Sequence, residues 1–130
     1  MSEAQYEPLA GCMAISNPEA APYHRRWLVV NTGGQWLSPE ACPALRGIQV
    51  SLRFGFLVLT APGMLRLDIP LEVIEDDDTV RYQVAVGQEG VAVIDEGELA
   101  AAWIGNITHV PCHIMKVHPD APPVVWPDKG

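Results

Sequence analysis

Tyr23-His24-Arg25-Arg26-Trp27-Leu28-Val29-Val30-Asn31-Thr32-Gly33-Gly34-Gln35-Trp36-Leu37 is the stretch on which the fold reading turns. Trp27 to Val30 is aromatic and β-branched, the composition of a buried strand. Asn31 to Gly34 accept the positive φ that a tight hairpin demands. Gln35 to Leu37 then opens a return strand. Arg25 and Arg26 stand directly before the first strand, and Trp27 and Trp36 anchor the pair.

Upstream, Met1 to Glu7 is polar and expected to fray. Leu9 to Ile15 reads as a strand interrupted by Gly11. Downstream, Ser38 offers a cap for one turn of helix, and Pro43 rules out a long one. Ile48, Val50 and Leu52 alternate with Gln49, Ser51 and Arg53, the period of a half-buried strand. Phe54-Gly55 turns the chain into a second strand, Phe56 to Ala61. Pro62-Gly63 turns it again into Leu65 to Ile69, which Pro70 closes.

Glu75 to Asp78 is an acidic hairpin tip, followed by strands at Val80 to Val86 and Val91 to Ile94. The period then changes. Residues 96–105 read as the one helix, with Asp95 and Glu98 forming a capping box and Leu99 and Trp103 sharing a buried face with Trp27. His113 to Val117 is the last strand, with Ile114 and Met115 facing opposite ways. Residues 121–130 form a proline-rich tail carrying Trp126, expected to be mobile. The fold class expected is mainly β: a β-barrel or strongly curved sheet of about seven strands with one α-helix. One domain spans residues 1–120.

Composition limits the function. Net charge −8 in 130 residues, with only eight Lys and Arg, excludes a nucleic-acid binder, which needs clustered cations to displace phosphate counterions. It also disfavours an anionic membrane surface. No apolar run approaches the ~20 residues of a membrane helix, and the N-terminus lacks the pattern of a signal peptide. Three dispersed cysteines form no disulfide framework, so reduced thiols and a cytoplasmic location are expected.

Pro8-Leu9-Ala10-Gly11-Cys12 followed by Tyr23 to Val30 resembles the opening of the MOSC N-terminal β-barrel domain. That family shows Pro-Ile/Val-Lys-Ser-Cys, then Asp-Arg-x-Trp and an apolar strand. Trp36-Leu37-Ser38, Pro43-Ala44-Leu45, Leu57 to Met64, Asp95 to Ile104 and Pro111 to Pro119 continue the match. The resemblance implies a β-barrel that precedes a MOSC domain in molybdenum enzymes reducing N-hydroxylated compounds, the mitochondrial amidoxime-reducing component among them. The metal-ligating cysteine belongs to that second domain, which these 130 residues are not expected to contain. The barrel's implied contacts to the pterin phosphate are the Lys-Ser pair and the Arg. Those positions are Ala10, Gly11 and Arg25 here, and His24 replaces the aspartate. The expectation is a binding or accessory module without catalysis of its own. The alternatives are a subunit of a split molybdenum-cofactor reductase, with a separate MOSC domain as its partner, or a binder of a small anionic ligand through Arg25. No cofactor is expected beyond the molybdenum cofactor that the family implies.

Arg25, Arg26, Gly11 and Cys12 are therefore the candidate binding residues. Guanidinium forks bind phosphate or carboxylate, and at most one of two adjacent arginines in an extended segment faces inward. The alternative is an arginine that stacks on Trp27 or Trp36 and pairs with an acid. Cys12 beside His24 has the composition of an activated thiol, and a small buried cysteine is the competing reading; Cys42 has the same status. His109, Cys112, His113 and His118 lack the paired spacing of zinc ligands, and Glu75 to Asp78 lack that of a calcium loop. No metal site is expected.

Overall fold

A computed structural model describes residues 5–38, 40–71, 81–87, 89–118 and 126. The acidic run Glu75 to Asp78 and most of the tail lie outside the described residues.

The turn after the first strand forms as its residues demand. Strand β1 (Trp27–Asn31) ends where Asn31 Oδ1 accepts from the N–H of Gly33 and of Gln35 at 2.9 and 3.0 Å. The expected return strand is shortened to single bridges, Val30 to Trp36 and Gln35 to Ala85. Those bridges shape the fold. The strands β5 (Arg81–Val86), β6 (Glu89–Asp95) and β7 (Cys112–Val117) join β1 in one antiparallel sheet of order β1-β7-β6-β5. Gln35-Trp36 links its two edge strands, β1 and β5, and so curls the sheet toward closure.

A second sheet holds β2 (Gln49–Arg53), β3 (Phe56–Thr60) and β4 (Leu67–Pro70) in the order β2-β3-β4. The Phe54-Gly55 turn has φ of +50° and +82°, the left-handed pair that matches strand twist. Leu65 stands outside β4 and is 87% exposed; its carbonyl accepts from Trp103 Nε1–H at 2.6 Å.

Alternation divides the curled sheet between two cores. Trp27, Val29, Cys112 and Ile114 join Leu57, Leu59 and Ile48 of the second sheet region, with Trp103 and Ile104 of the helix. Leu28, Val30, Met115 and Val117 line the inner concavity with Val84, Val86, Val91 and Val93. Ile114 and Met115 thus face opposite ways, as the pattern predicts. Each large apolar side chain so buried contributes about 1.5–3 kcal/mol.

The helix α1 (Glu98–Thr108) starts later and runs longer than expected. Gly97 is its N-cap and no side chain caps it, so the Asp95–Glu98 capping box does not form. Asp95 instead belongs to β6 and accepts from Gly97 N–H through Oδ1. Trp103 is buried in the core that holds Trp27, but Leu99 is 78% exposed and leaves that group. The expected strand at Leu9 to Ile15 is a turn flanked by bridges, Tyr6 to Ile15 and Leu9 to Trp27. Short 3₁₀ turns lie at Pro18–Tyr23 and Pro43–Gly47. Among the described residues no helix is long and apolar enough to cross a membrane.

Candidate functional site

Residues 7–10 run alongside residues 25–27, held by main-chain bonds. Arg25 N–H donates to Glu7 O at 2.9 Å, Trp27 N–H to Pro8 O at 3.0 Å and Ala10 N–H to Trp27 O at 2.8 Å. Glu7 N–H donates to His24 Nδ1 at 2.9 Å. Glu7 is therefore an ordered, buried residue and not part of a frayed end.

The Glu7 carboxylate gathers the candidate residues. Its Oε1 accepts the Gly11 N–H at 2.5 Å and lies 3.4 Å from Arg25 Nη2. Gly11 reaches it through φ +95°, a conformation that strains any other residue. Arg25 has φ +52° and precedes the strand, so its inward direction comes from a left-handed backbone rather than strand alternation. Arg25 is buried and Arg26 half-buried. A pair this dry survives only because each charge is matched by hydrogen bonds or an opposite charge.

Trp126 stacks on the arginine of the pair. Its ring centroid is 4.9 Å from Arg25 Cζ, and it meets Trp36 edge-on at 4.9 Å and 74°. Both indoles pack on the inner core. Of the expected mobile tail the structure describes Trp126, and it packs on the barrel. The stacking partner of the arginine is Trp126, where sequence reasoning named Trp27 or Trp36.

Cys12 does not join this group. It is fully buried in the core shared with Trp27, and burial, then the Glu7 charge, pushes its thiol far above the usual range. Ligand contact through Cys12 would require opening that core. His24 sits at the surface with its ring edge-on to Tyr6. Cys112 is buried, its Sγ 3.3 Å from Thr108 Oγ1, and burial raises its pKa. His113 leaves by the opposite face, its Nδ1 3.2 Å from Asp95 Oδ2. Among the described residues no group of three or more His, Cys, Asp and Glu is placed to hold a metal ion.

Sequence reasoning missed two residues. Glu7 gave no local signal, because its partners lie far along the chain. Lys116 did give one, as a lysine on the face of Cys112 and Ile114 in β7. It is buried, donates to Leu71 O at 2.8 Å and lies 5.6 Å from the Trp27 ring. Trp27 Nε1–H in turn donates to Glu96 Oε2.

The fold has a close structural counterpart. The solution structure of a Bordetella bronchiseptica protein superposes with a TM-score of 0.83 at 61% identity, over 98% of this chain and 98% of that one. Human molybdenum cofactor sulfurase is 35% identical over 96 residues, covering 72% of this chain and 11% of its own. The Bos taurus molybdenum cofactor sulfurase is 34% identical over 122 residues, 87% of this chain and 14% of its own. The chain thus spans about a ninth to a seventh of these curated relatives, and they bear the sulfurase name rather than that of an N-hydroxyl reductase. The family model described as the MOSC N-terminal beta barrel domain matches residues 8–111, which takes in Gly11, Arg25, the second sheet and the helix. This chain belongs to the MOSC N-terminal beta barrel domain family.

Proposed function

We propose that the chain is a non-catalytic binding module serving molybdenum-cofactor chemistry that a separate MOSC domain carries out. One observation carries this reading: the positions where the family resemblance implies phosphate contacts are turned inward. Ala10 packs in the inner core, the Gly11 N–H is given to Glu7, and Arg25 faces the same carboxylate under Trp126. Cys12 and Cys112 are buried with raised pKa values, so neither is a ready nucleophile. The relatives named as molybdenum cofactor sulfurases support the link to that cofactor at the level of the domain.

The test is a tagged chain recovered from its source cell, followed by elemental analysis of the isolated chain and of the complex. Molybdenum that accompanies the bound MOSC protein and stays with it on separation is the expected result. About one molybdenum retained per isolated chain overturns the proposal.

A second reading, a small-anion binder, draws on the burial of the Arg25 guanidinium beneath an indole. Such a ligand must displace Trp126 and compete with Glu7. Saturable quenching of tryptophan emission by inorganic phosphate, lost in Arg25→Met, would favour it.

A further inference from the structure

We propose that the open edge of β2, ending at Phe54, docks an extended segment of a partner protein by strand addition. The inference deepens the binding-module reading by giving it a surface, and it holds whether or not the partner carries molybdenum. Register settles which main-chain groups are available. The two-residue turn Phe54-Gly55 makes Arg53 and Phe56 a hydrogen-bonded pair, and the pattern alternates from there through Ser51 with Val58. The N–H and C=O of Val50 and Leu52 consequently point away from β3. Among the described residues no hydrogen bond reaches them.

Both edges of the four-stranded sheet are bridged, and on the three-stranded sheet the outer edge of β4 is short and ends at Pro70, which has no N–H to offer. Leu9 and Trp36 bridge to β1, and Gln35 bridges to β5. Beside β2 the neighbouring segment makes one bond, Met13 N–H to Ile48 O at 3.1 Å, and then diverges. The divergence leaves a groove of about 540 Å³ between Val50–Arg53 and Ala14–Asn17. A row of unpaired main-chain groups along a groove suits an extended backbone as its occupant.

Phe54 adds a second, independent observation. It is 98% exposed and held at φ +50°, where a hairpin of this type takes Asn or Gly. An exposed aromatic in a strained position is unfavourable on both counts, and such strain concentrates at binding sites. Arg53, exposed at the same end, favours an acidic side chain in the incoming strand. A second copy of this chain fits less well. Its net charge of −8 repels its like.

The test follows amide exchange by NMR in the full chain. In the free protein the Val50 and Leu52 amides should exchange at least tenfold faster than Ser51 and Arg53. A synthetic heptapeptide alternating valine and threonine with one aspartate should protect both amides tenfold or more. Ala14→Trp, which fills the groove from an exposed position, should abolish that protection while leaving the other strand amides unchanged. Val50 and Leu52 already protected in the free chain would overturn the proposal. So would no saturable protection at millimolar peptide, protection surviving in Ala14→Trp, or sedimentation showing that the edge is closed by dimerisation.

Discussion

Glu7 Oε1 lies 3.4 Å from Arg25 Nη2, with only 10% and 6% of the two side chains exposed. Desolvating both ions is costly, and the pair holds because the same carboxylate oxygen also takes the Gly11 N–H. The two residues are distant in sequence, so this contact fastens the N-terminal segment to the entrance of β1. Glu7→Gln should therefore destabilise the protein by about 3 kcal/mol, because the buried guanidinium loses the carboxylate it faces. Arg25→Met combined with Glu7→Gln should cost clearly less than the sum of the single changes. Urea denaturation of the four proteins measures the coupling, and additive costs would mean that the two charges do not interact.

Trp126 should stabilise the fold although it lies beyond the last strand. Its contacts are the Arg25 guanidinium and the Trp36 ring edge. Trp126→Ala is expected to cost about 1–2 kcal/mol, the joint worth of one cation–π and one aromatic pair. An unchanged melting temperature, with unchanged Trp36 emission, would place the indole away from the barrel.

The helix gives a paired prediction. Trp103→Ala should cost about 3–5 kcal/mol, since a buried aromatic and its bond to Leu65 O are both lost. Leu99→Ala, one turn away, should fall within about 0.5 kcal/mol of the parent, because Leu99 is 78% exposed. Chemical denaturation separates the two, and equal losses would mean that Leu99 is buried after all.

That contrast shows where the sequence was readable. The β2–β3 hairpin was legible because Ile48, Val50 and Leu52 alternate with Gln49, Ser51 and Arg53, and Phe54-Gly55 separates them from the apolar run Phe56 to Leu59. Ile114 and Met115 were legible because successive side chains of a strand face opposite ways. Leu99 was misread because helical spacing names a face without saying where that face ends. Asp95 was misread because a good capping residue can be claimed first by a strand and by His113. The candidate site was half legible: Arg25 and Gly11 stood out, but Glu7 and Trp126 reach them only through the tertiary fold.

The thiols should respond to pH in one direction. Burial raises the pKa of Cys12 and Cys112 above the ordinary 9.0, with the Glu7 charge adding at Cys12. The folded state then holds protons that the unfolded state releases, so stability is full below about pH 9 and falls as pH rises beyond it. At pH 8 a disulfide reagent should modify half-buried Cys42 first and the other two only on unfolding. Rapid native-state labelling of Cys12 would contradict its placement in the core.

Phe54 provides the last prediction. A side chain at φ +50° carries strain of about 1 kcal/mol, and its 98% exposure returns no compensating burial. Asparagine tolerates this backbone better, and Asn-Gly is the favoured pair for a two-residue hairpin of this hand. Phe54→Asn should thus raise stability by a few tenths to about 1 kcal/mol while leaving the register of Arg53 with Phe56 intact. Gly55→Ala is the control: it forces a side chain onto φ +82° and should lower stability by about 1 kcal/mol. The denaturation midpoints of the two variants should therefore move in opposite directions. If Phe54→Asn lowers the midpoint instead, the ring must be packed against the protein and its exposure is wrong.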